Sequence, residues 1–264
     1  MAQYRIDSDQ YLDHNKTTFE VVMIGDQEGN IVNTFGAASN IIISAGQLAG
    51  YSGVSKFGLV EGTSSADFCT VWTLADTVST STIDYSAFPG TVTVTSNASD
   101  TGDIIIEGLD TDYNEVTETL SLTGTSTAGS QSFHRIFRAY YTDSNTNAYP
   151  IIVSIGGTNV TEIDAQYGQT LQAFYTIPAG KTGYLMQLSA SASKNQETLI
   201  GLFQRPFGQT FRISQTMALY QSNQTLEFAI PIKFVEKTDL EVRTKGATNA
   251  TISTEFSLVL VDNA

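Results

Sequence analysis

Oxygen donors at alternate positions in Asp110-Thr-Asp-Tyr-Asn114 are what a hard cation such as calcium needs, because side-chain oxygens so spaced can converge on one ion. The rest of a calcium loop is missing. Counting from Asp110, the sixth position should be Gly and the twelfth a bidentate Glu, whereas Glu115 and Ser121 stand there. Asp110, Asp112 and Asn114 are thus a weak calcium candidate, and the stronger reading is a hairpin tip whose Asp and Asn cap their own backbone. The histidines, His14 and His134, lie far apart with no Cys or second His at ligand spacing, so no zinc site is expected. His134 alternates with Phe133, Arg135, Ile136 and Phe137 in a strand-like run and reads as a surface or cross-strand contact. No Gly-X-Ser-X-Gly elbow points to a serine nucleophile. Two carboxylate pairs, Glu115 with Glu118 and Asp239 with Glu241, have no readable cleft between them. Asp239 and Glu241 share one strand face and are expected to be solvated. Tyr140, Tyr141, Tyr149, Tyr167 and Tyr175 fit a sugar-stacking platform or, more simply, core and interface packing. Gly201 to Gly208 lacks the Lys-Ser/Thr that a phosphate loop needs. The expectation is a chain with no catalytic residues, no cofactor and no resident metal, and so not an enzyme.

The 264 residues carry 27 acidic and 13 basic side chains, a formal −14, and the charge is unevenly placed. Residues 1–164 hold 20 acidic and 5 basic groups, a formal −15, while 165–264 hold 7 and 8. A field of that sign repels nucleic-acid backbone and anionic lipid, so neither nucleic acid nor membrane is an expected partner. One cysteine, Cys69, allows no intramolecular disulfide, and its default role is a small buried apolar group. Asn-X-Ser/Thr triplets at Asn15, Asn97, Asn159, Asn223 and Asn249 read as incidental, since Met-Ala-Gln-Tyr-Arg-Ile carries no apolar leader core. No apolar run approaches the length that spans a bilayer.

The elements that must position these residues are strands. Asp103–Glu107 and Glu115–Thr123 flank the turn-rich Gly108–Asn114 as one hairpin, with Val116, Glu118, Leu120 and Leu122 on one face and Thr117, Thr119, Ser121 and Thr123 on the other. Further strands are expected at 70–74, 90–95, 133–141 and 150–155, and then at 171–177, 182–192, 198–205, 211–219, 225–232, 240–244 and 251–261. Pro178-Ala-Gly-Lys181 supplies a strong turn. The fold class is all-β: two antiparallel β-sandwich units of jelly-roll or Greek-key type, preceded by an extended N-terminal arm. Expected boundaries are 1–64 for arm, hairpin and connector, 65–164 for the first sandwich and 165–264 for the second. In the Gly/Ala/Ser-rich stretch from Gly36 to Gly62, Ile41–Ser44 is the one strand-like run. Phe35, Ile41, Ile42, Tyr51 and Phe57 are the candidate assembly residues of the arm.

Several motifs then carry a resemblance. Asn30-Ile-Val-Asn-Thr-Phe-Gly-Ala-Ala-Ser-Asn40, Gly50-Tyr-Ser52, Lys56-Phe-Gly58 and Val71-Trp72 come in order, followed by Gly108-Leu-Asp-Thr-Asp-Tyr-Asn-Glu115 and Glu118-Thr-Leu-Ser-Leu-Thr-Gly124. Ile177-Pro-Ala-Gly-Lys-Thr-Gly-Tyr184 and Arg205-Pro-Phe-Gly208 complete the set. In their order and spacing, from about residue 19 onward, they resemble virion structural proteins of tailed bacteriophages, particularly those of aquatic bacteria. The resemblance implies a non-enzymatic particle component on the exterior, such as a head decoration, a head fibre or a neck-associated protein. It implies a homo-oligomer, most simply a trimer, that docks on the major capsid protein or on neck or tail proteins and resides in a virion assembled in the host cytoplasm. The competing expectation is a receptor- or glycan-binding module of a tail or fibre.

Overall fold

The computed structural model describes residues 24–25, 31–32, 36–61, 63, 67–76, 82–97, 100–246 and 248–263. The two-residue strands β1 (Ile24–Gly25) and β2 (Ile31–Val32) pair antiparallel and come first, then helix α1 (Gly36–Ser44) and β3 (Tyr51–Val60). After β4 (Cys69–Thr70) and two short 3-10 turns come β5 (Gly90–Thr95), β6 (Asp103–Leu109), β7 (Glu115–Ser121) and β8 (Ser126–Phe133). They are followed by β9 (Arg135–Tyr141), β10 (Ile151–Ile155) and β11 (Thr158–Ile163). The last group is β12 (Phe174–Thr176), β13 (Lys181–Ala192), β14 (Thr198–Arg205), β15 (Arg212–Leu219), β16 (Asn223–Phe234), β17 (Asp239–Lys245) and β18 (Ile252–Asp262).

Strand pairing gives an all-β molecule made of two sandwiches. One sheet runs β16-β13-β18-β3 and faces a second, β12-β17-β14-β15. Numbering β3 and β12 to β18 as eight strands in chain order, the sheets read 1-8-3-6 and 2-7-4-5, the double Greek key of a jelly roll. Their facing residues, among them Leu185, Leu188, Ile200, Leu202, Phe234, Val242, Phe256 and Leu258, form one buried cluster. The other sandwich packs β11-β10-β5-β8 on β7-β6-β9 around Val92, Val94, Ile104, Ile106, Phe133, Ile151 and Val153. It lies wholly between the first and second strands of the jelly roll, so it is an insertion with two covalent connections.

Several sequence expectations hold locally. The β6–β7 hairpin pairs Asp103 with Ser121 through Leu109 with Glu115, and the four hydroxyl residues of its outer face are exposed. β18 alternates buried and exposed residues and sits between β13 and β3, as its apolar end requires. At Pro178–Lys181 the Lys181 amide bonds the Pro178 carbonyl, and Gly180 takes the positive φ that this turn demands (72°).

Others are corrected. Tyr51–Val60, expected as connector, pairs residue by residue with β18, from Tyr51 with Val261 to Val60 with Ile252. The connector composition has a packing reason: at Gly58 an added Cβ would collide with the Val71 carbonyl oxygen and come within 2.5 Å of the Ala173 amide nitrogen. Ile41–Ser44 closes a helix rather than forming a strand. The single strand expected at 133–141 is two, because the chain crosses from one sheet to the other at His134. The strand expected at 70–74 stops at Thr70 and gives way to a 3-10 turn at Thr73–Asp76. The proposed N-terminal arm falls mostly outside the described residues.

Candidate functional site

The seam between the sandwiches holds the densest polar chemistry of the described residues. β17 alternates Leu240, Val242 and Thr244 into the jelly-roll core with Asp239, Glu241, Arg243 and Lys245 on the other face, toward the insertion. Register places Arg205 of β14 and Thr176 of β12 on either side of Asp239. The Asp239 carboxylate accepts from Arg135 Nε at 2.8 Å and Nη2 at 3.2 Å, from Arg205 Nε at 2.8 Å and Nη2 at 2.6 Å, and from Thr176 Oγ1 at 2.6 Å. Burial raises its pKa, but the hydrogen bonds and charges of the two arginines overcome that and hold the carboxyl below its ordinary value.

Two residues along, Glu241 accepts from Thr70 Oγ1, from the Tyr85 hydroxyl at 3.1 Å and from Arg243 Nη2 at 2.8 Å. Tyr85 ties the two carboxylate groups together. The Arg205 guanidinium lies 3.9 Å from its ring centroid and that of Arg135 4.9 Å, and burial keeps the phenol protonated well beyond its usual range. Asp239 and Glu241, expected to be solvated, are 2% and 0% exposed. Strand alternation made them look like an outer face, and the insertion covers that face.

Beside this network lies a cleft of about 240 Å³, lined by Tyr113, His134, Arg205, Phe207 and Lys237 among others. Tyr113 and His134 share a hydrogen bond of 2.9 Å between the phenol and Nε2. Burial, and then the Arg135 charge, push the His134 pKa down, so the ring is neutral at physiological pH. His134 is therefore a seam residue, in contact with the tip of the β6–β7 hairpin.

That tip accounts for the calcium candidate. Asp110 Oδ1 accepts from the amides of Asp112 and Asn114, each at 2.9 Å, and Oδ2 accepts from Asn114 Nδ2 at 3.3 Å. Asp110 and Asn114 thus satisfy each other within the turn, and Asp112 points to solvent side by side with them on the exposed tip. Glu118 is bound across to the next strand, accepting from the amides of Ser130 at 2.6 Å and Gln131 at 3.0 Å, apart from exposed Glu115.

Of the assembly candidates, Phe35 lies outside the described residues, as does His14. Ile41 is 72% exposed on α1 and Ile42 is half-buried, while Tyr51 and Phe57 project from β3. The tyrosines separate: Tyr175 is buried, Tyr140 carries Arg138 on its ring at 4.4 Å, and the Tyr141 hydroxyl accepts from the Gly102 amide. Tyr149 and Tyr167 are exposed on loops that buried Asn147 stitches together, its Nδ2 donating to the Tyr149 and Asp164 carbonyls and its Oδ1 accepting from the Gly168 amide.

A second candidate surface was not foreseen. Four of the ten large apolar side chains exposed among the described residues, Ile213, Tyr220, Ile230 and Val235, fall on or directly beside β15 and β16, the strands at one edge of the jelly roll. β15 and β16 each end their own sheet. Along β16 the register jumps, since Leu185 faces Ile232 but Gln187 faces Glu227, so Phe228–Pro231 bulges outward and lifts Ile230 to 87% exposure. Alternating side chains from 211 to 232 marked strands in the sequence, but nothing there distinguished a covered edge from a bare one.

No family model matches this chain, and no curated protein matches it in sequence. Among solved structures, the cowpea mosaic virus top component (naturally occurring empty particles) is 8% identical over 64% of this chain and 80% of that one, with a TM-score of 0.21. The infectious bursal disease virus VP2 subviral particle is 9% identical over 82% and 72%, with a TM-score of 0.19. The same virus, Gt strain, is 10% identical over 82% and 73%, with a TM-score of 0.18. Superpositions at that level carry no weight, and the jelly roll stands on its own strand pairing.

Proposed function

We propose that this chain is a non-enzymatic structural component of a virus particle, working by self-association through the β15–β16 edge of its jelly roll. The observation that carries the reading is the bulge-borne Ile230 on a strand whose outer edge is unpaired and whose flanks hold three more exposed large apolar groups. Apolar patches of this kind mark association surfaces, and unpaired edges are normally blunted unless used. The insertion covers the outer face of β17 and packs Tyr113 against Phe207 of the β14–β15 loop, while β15 and β16 carry no further strand on their outer sides. On the motif order described above, the particle is a tailed phage and the position exterior: a head decoration, head fibre or neck-associated homotrimer docked on the major capsid, neck or tail protein. The test is light scattering over a range of concentrations. Wild-type protein is expected at three chain masses and Ile230→Asp at one; a wild-type monomer at all concentrations, or an unchanged Ile230→Asp mass, contradicts the reading.

A second reading, glycan binding, is favoured by Tyr149 and Tyr167, two exposed flat rings on loops joined by Asn147. Glycan-array binding that disappears in Tyr149→Ala and Tyr167→Ala while the oligomer mass is kept would support it.

A further inference from the structure

We propose that the cleft between the sandwiches, bounded by Arg205, Lys237, Tyr113 and Phe207, is a binding site for a small dianionic oxyanion of the phosphate or sulfate class. Three cations, Arg135, Arg205 and Lys237, line it against a single carboxylate, Asp239, so a formal surplus of two positive charges sits inside a chain of −14. Asp239 cannot absorb that surplus, because its two oxygens already accept five hydrogen bonds from Arg135, Arg205 and Thr176. The Lys237 ammonium rests 5.3 Å from the Tyr113 ring centroid and 5.6 Å from that of Phe207. Rings attract its charge but offer no lone pair to its three N–H donors. Arg205 places Nε and Nη2 on Asp239, and its Nη1 makes no hydrogen bond to a described residue.

The backbone concentrates cost here as well. Two of the five positive-φ non-glycine residues among those described, Tyr113 (70°) and Lys237 (60°), line this one cleft, and such conformations persist where the surrounding structure over-determines them. At about 240 Å³ the space suits an ion rather than a polymer. Arg135 and Tyr113 belong to the insertion and Arg205 and Lys237 to the jelly roll, so a bound oxyanion fastens the two together.

The experiment is thermal unfolding of the full chain in sodium phosphate, sodium sulfate and sodium chloride at matched ionic strength. Phosphate and sulfate are expected to raise the midpoint with concentration and chloride not to. Lys237→Ala should weaken the apparent affinity by about tenfold or more, the loss expected for one charged hydrogen-bond donor. Lys237→Arg should retain it, and Lys194→Ala, an exposed lysine between β13 and β14, should behave as wild type. If Lys237→Ala folds poorly, Lys237→Gln keeps the stem over the rings and serves the same purpose. Equal effects of the three salts, or an undiminished phosphate effect in Lys237→Ala and Lys237→Gln, would show an adventitious ion only and overturn the proposal.

Discussion

Arg135 of the inserted sandwich grips Asp239 of the jelly roll with two nitrogens, Nε at 2.8 Å and Nη2 at 3.2 Å, across 104 residues of sequence and with both side chains almost wholly out of water. Its Nη1 donates to the His134 carbonyl at 2.6 Å, at the point where the insertion crosses between its own sheets. One guanidinium therefore fixes both the internal corner of the insertion and its docking on β17. Removing the carboxylate would strand two buried or half-buried arginines. Asp239→Asn is expected to lower stability by about 3–5 kcal/mol, measured by denaturant unfolding.

The same pair predicts an acid limb. Asp239 is held below its ordinary 3.8, so the stability it contributes is present above that value and is lost as pH falls through the folded pKa. Asp239→Asn should flatten that part of the stability profile relative to wild type. An acid limb of the same depth in both proteins would assign it to other carboxylates.

Lys56 predicts a second rise of stability with pH, on the alkaline side. From β3 it donates to the Phe137 carbonyl of the insertion at 2.6 Å, and burial, then Arg138, lower its pKa from 10.5 to about 7, with Glu107 opposing. Between those values the unfolded chain binds the proton and the folded chain does not, so stability should rise with pH from about 7 to 10.5, at up to about 1.4 kcal/mol per unit. Lys56→Met should remove the rise and be more stable than wild type near neutral pH. Pulse proteolysis across that range measures it.

Gly58 has no room for a side chain where β3 passes Val71 and Ala173. Gly58→Ala is expected to cost about 1–3 kcal/mol by forcing that crossing apart. Gly157→Ala is a control in which a new Cβ meets nothing within 4 Å, so its cost is limited to its left-handed φ of 87°.

Local pattern told the strands where side chains alternate strongly and failed where tertiary contacts decide. The β6–β7 hairpin and the strands from 181 to 262 were legible because apolar residues recur every second position between turn residues. β3 was not, since Ser52, Gly53, Ser55 and Gly58 carry no apolar rhythm and its partner β18 lies about 200 residues away. β8, with Ala128, Gly129 and three serines, was hidden for the same reason. That one sandwich interrupts the other follows only from that long-range pairing. The candidate site was half visible: Asp239 and Glu241 were recognised as sharing a face, but the cover that buries them comes from Thr70, Tyr85 and Arg135, far away in sequence.

The central claim is that copies meet along the β15–β16 edge, and hydrogen–deuterium exchange at low and high protein concentration addresses it directly. Amides of 212–234 should gain protection as concentration rises, while those of β3 and of the β6–β7 tip do not change. Added protection elsewhere with none in 212–234, or no concentration dependence at all, would contradict it.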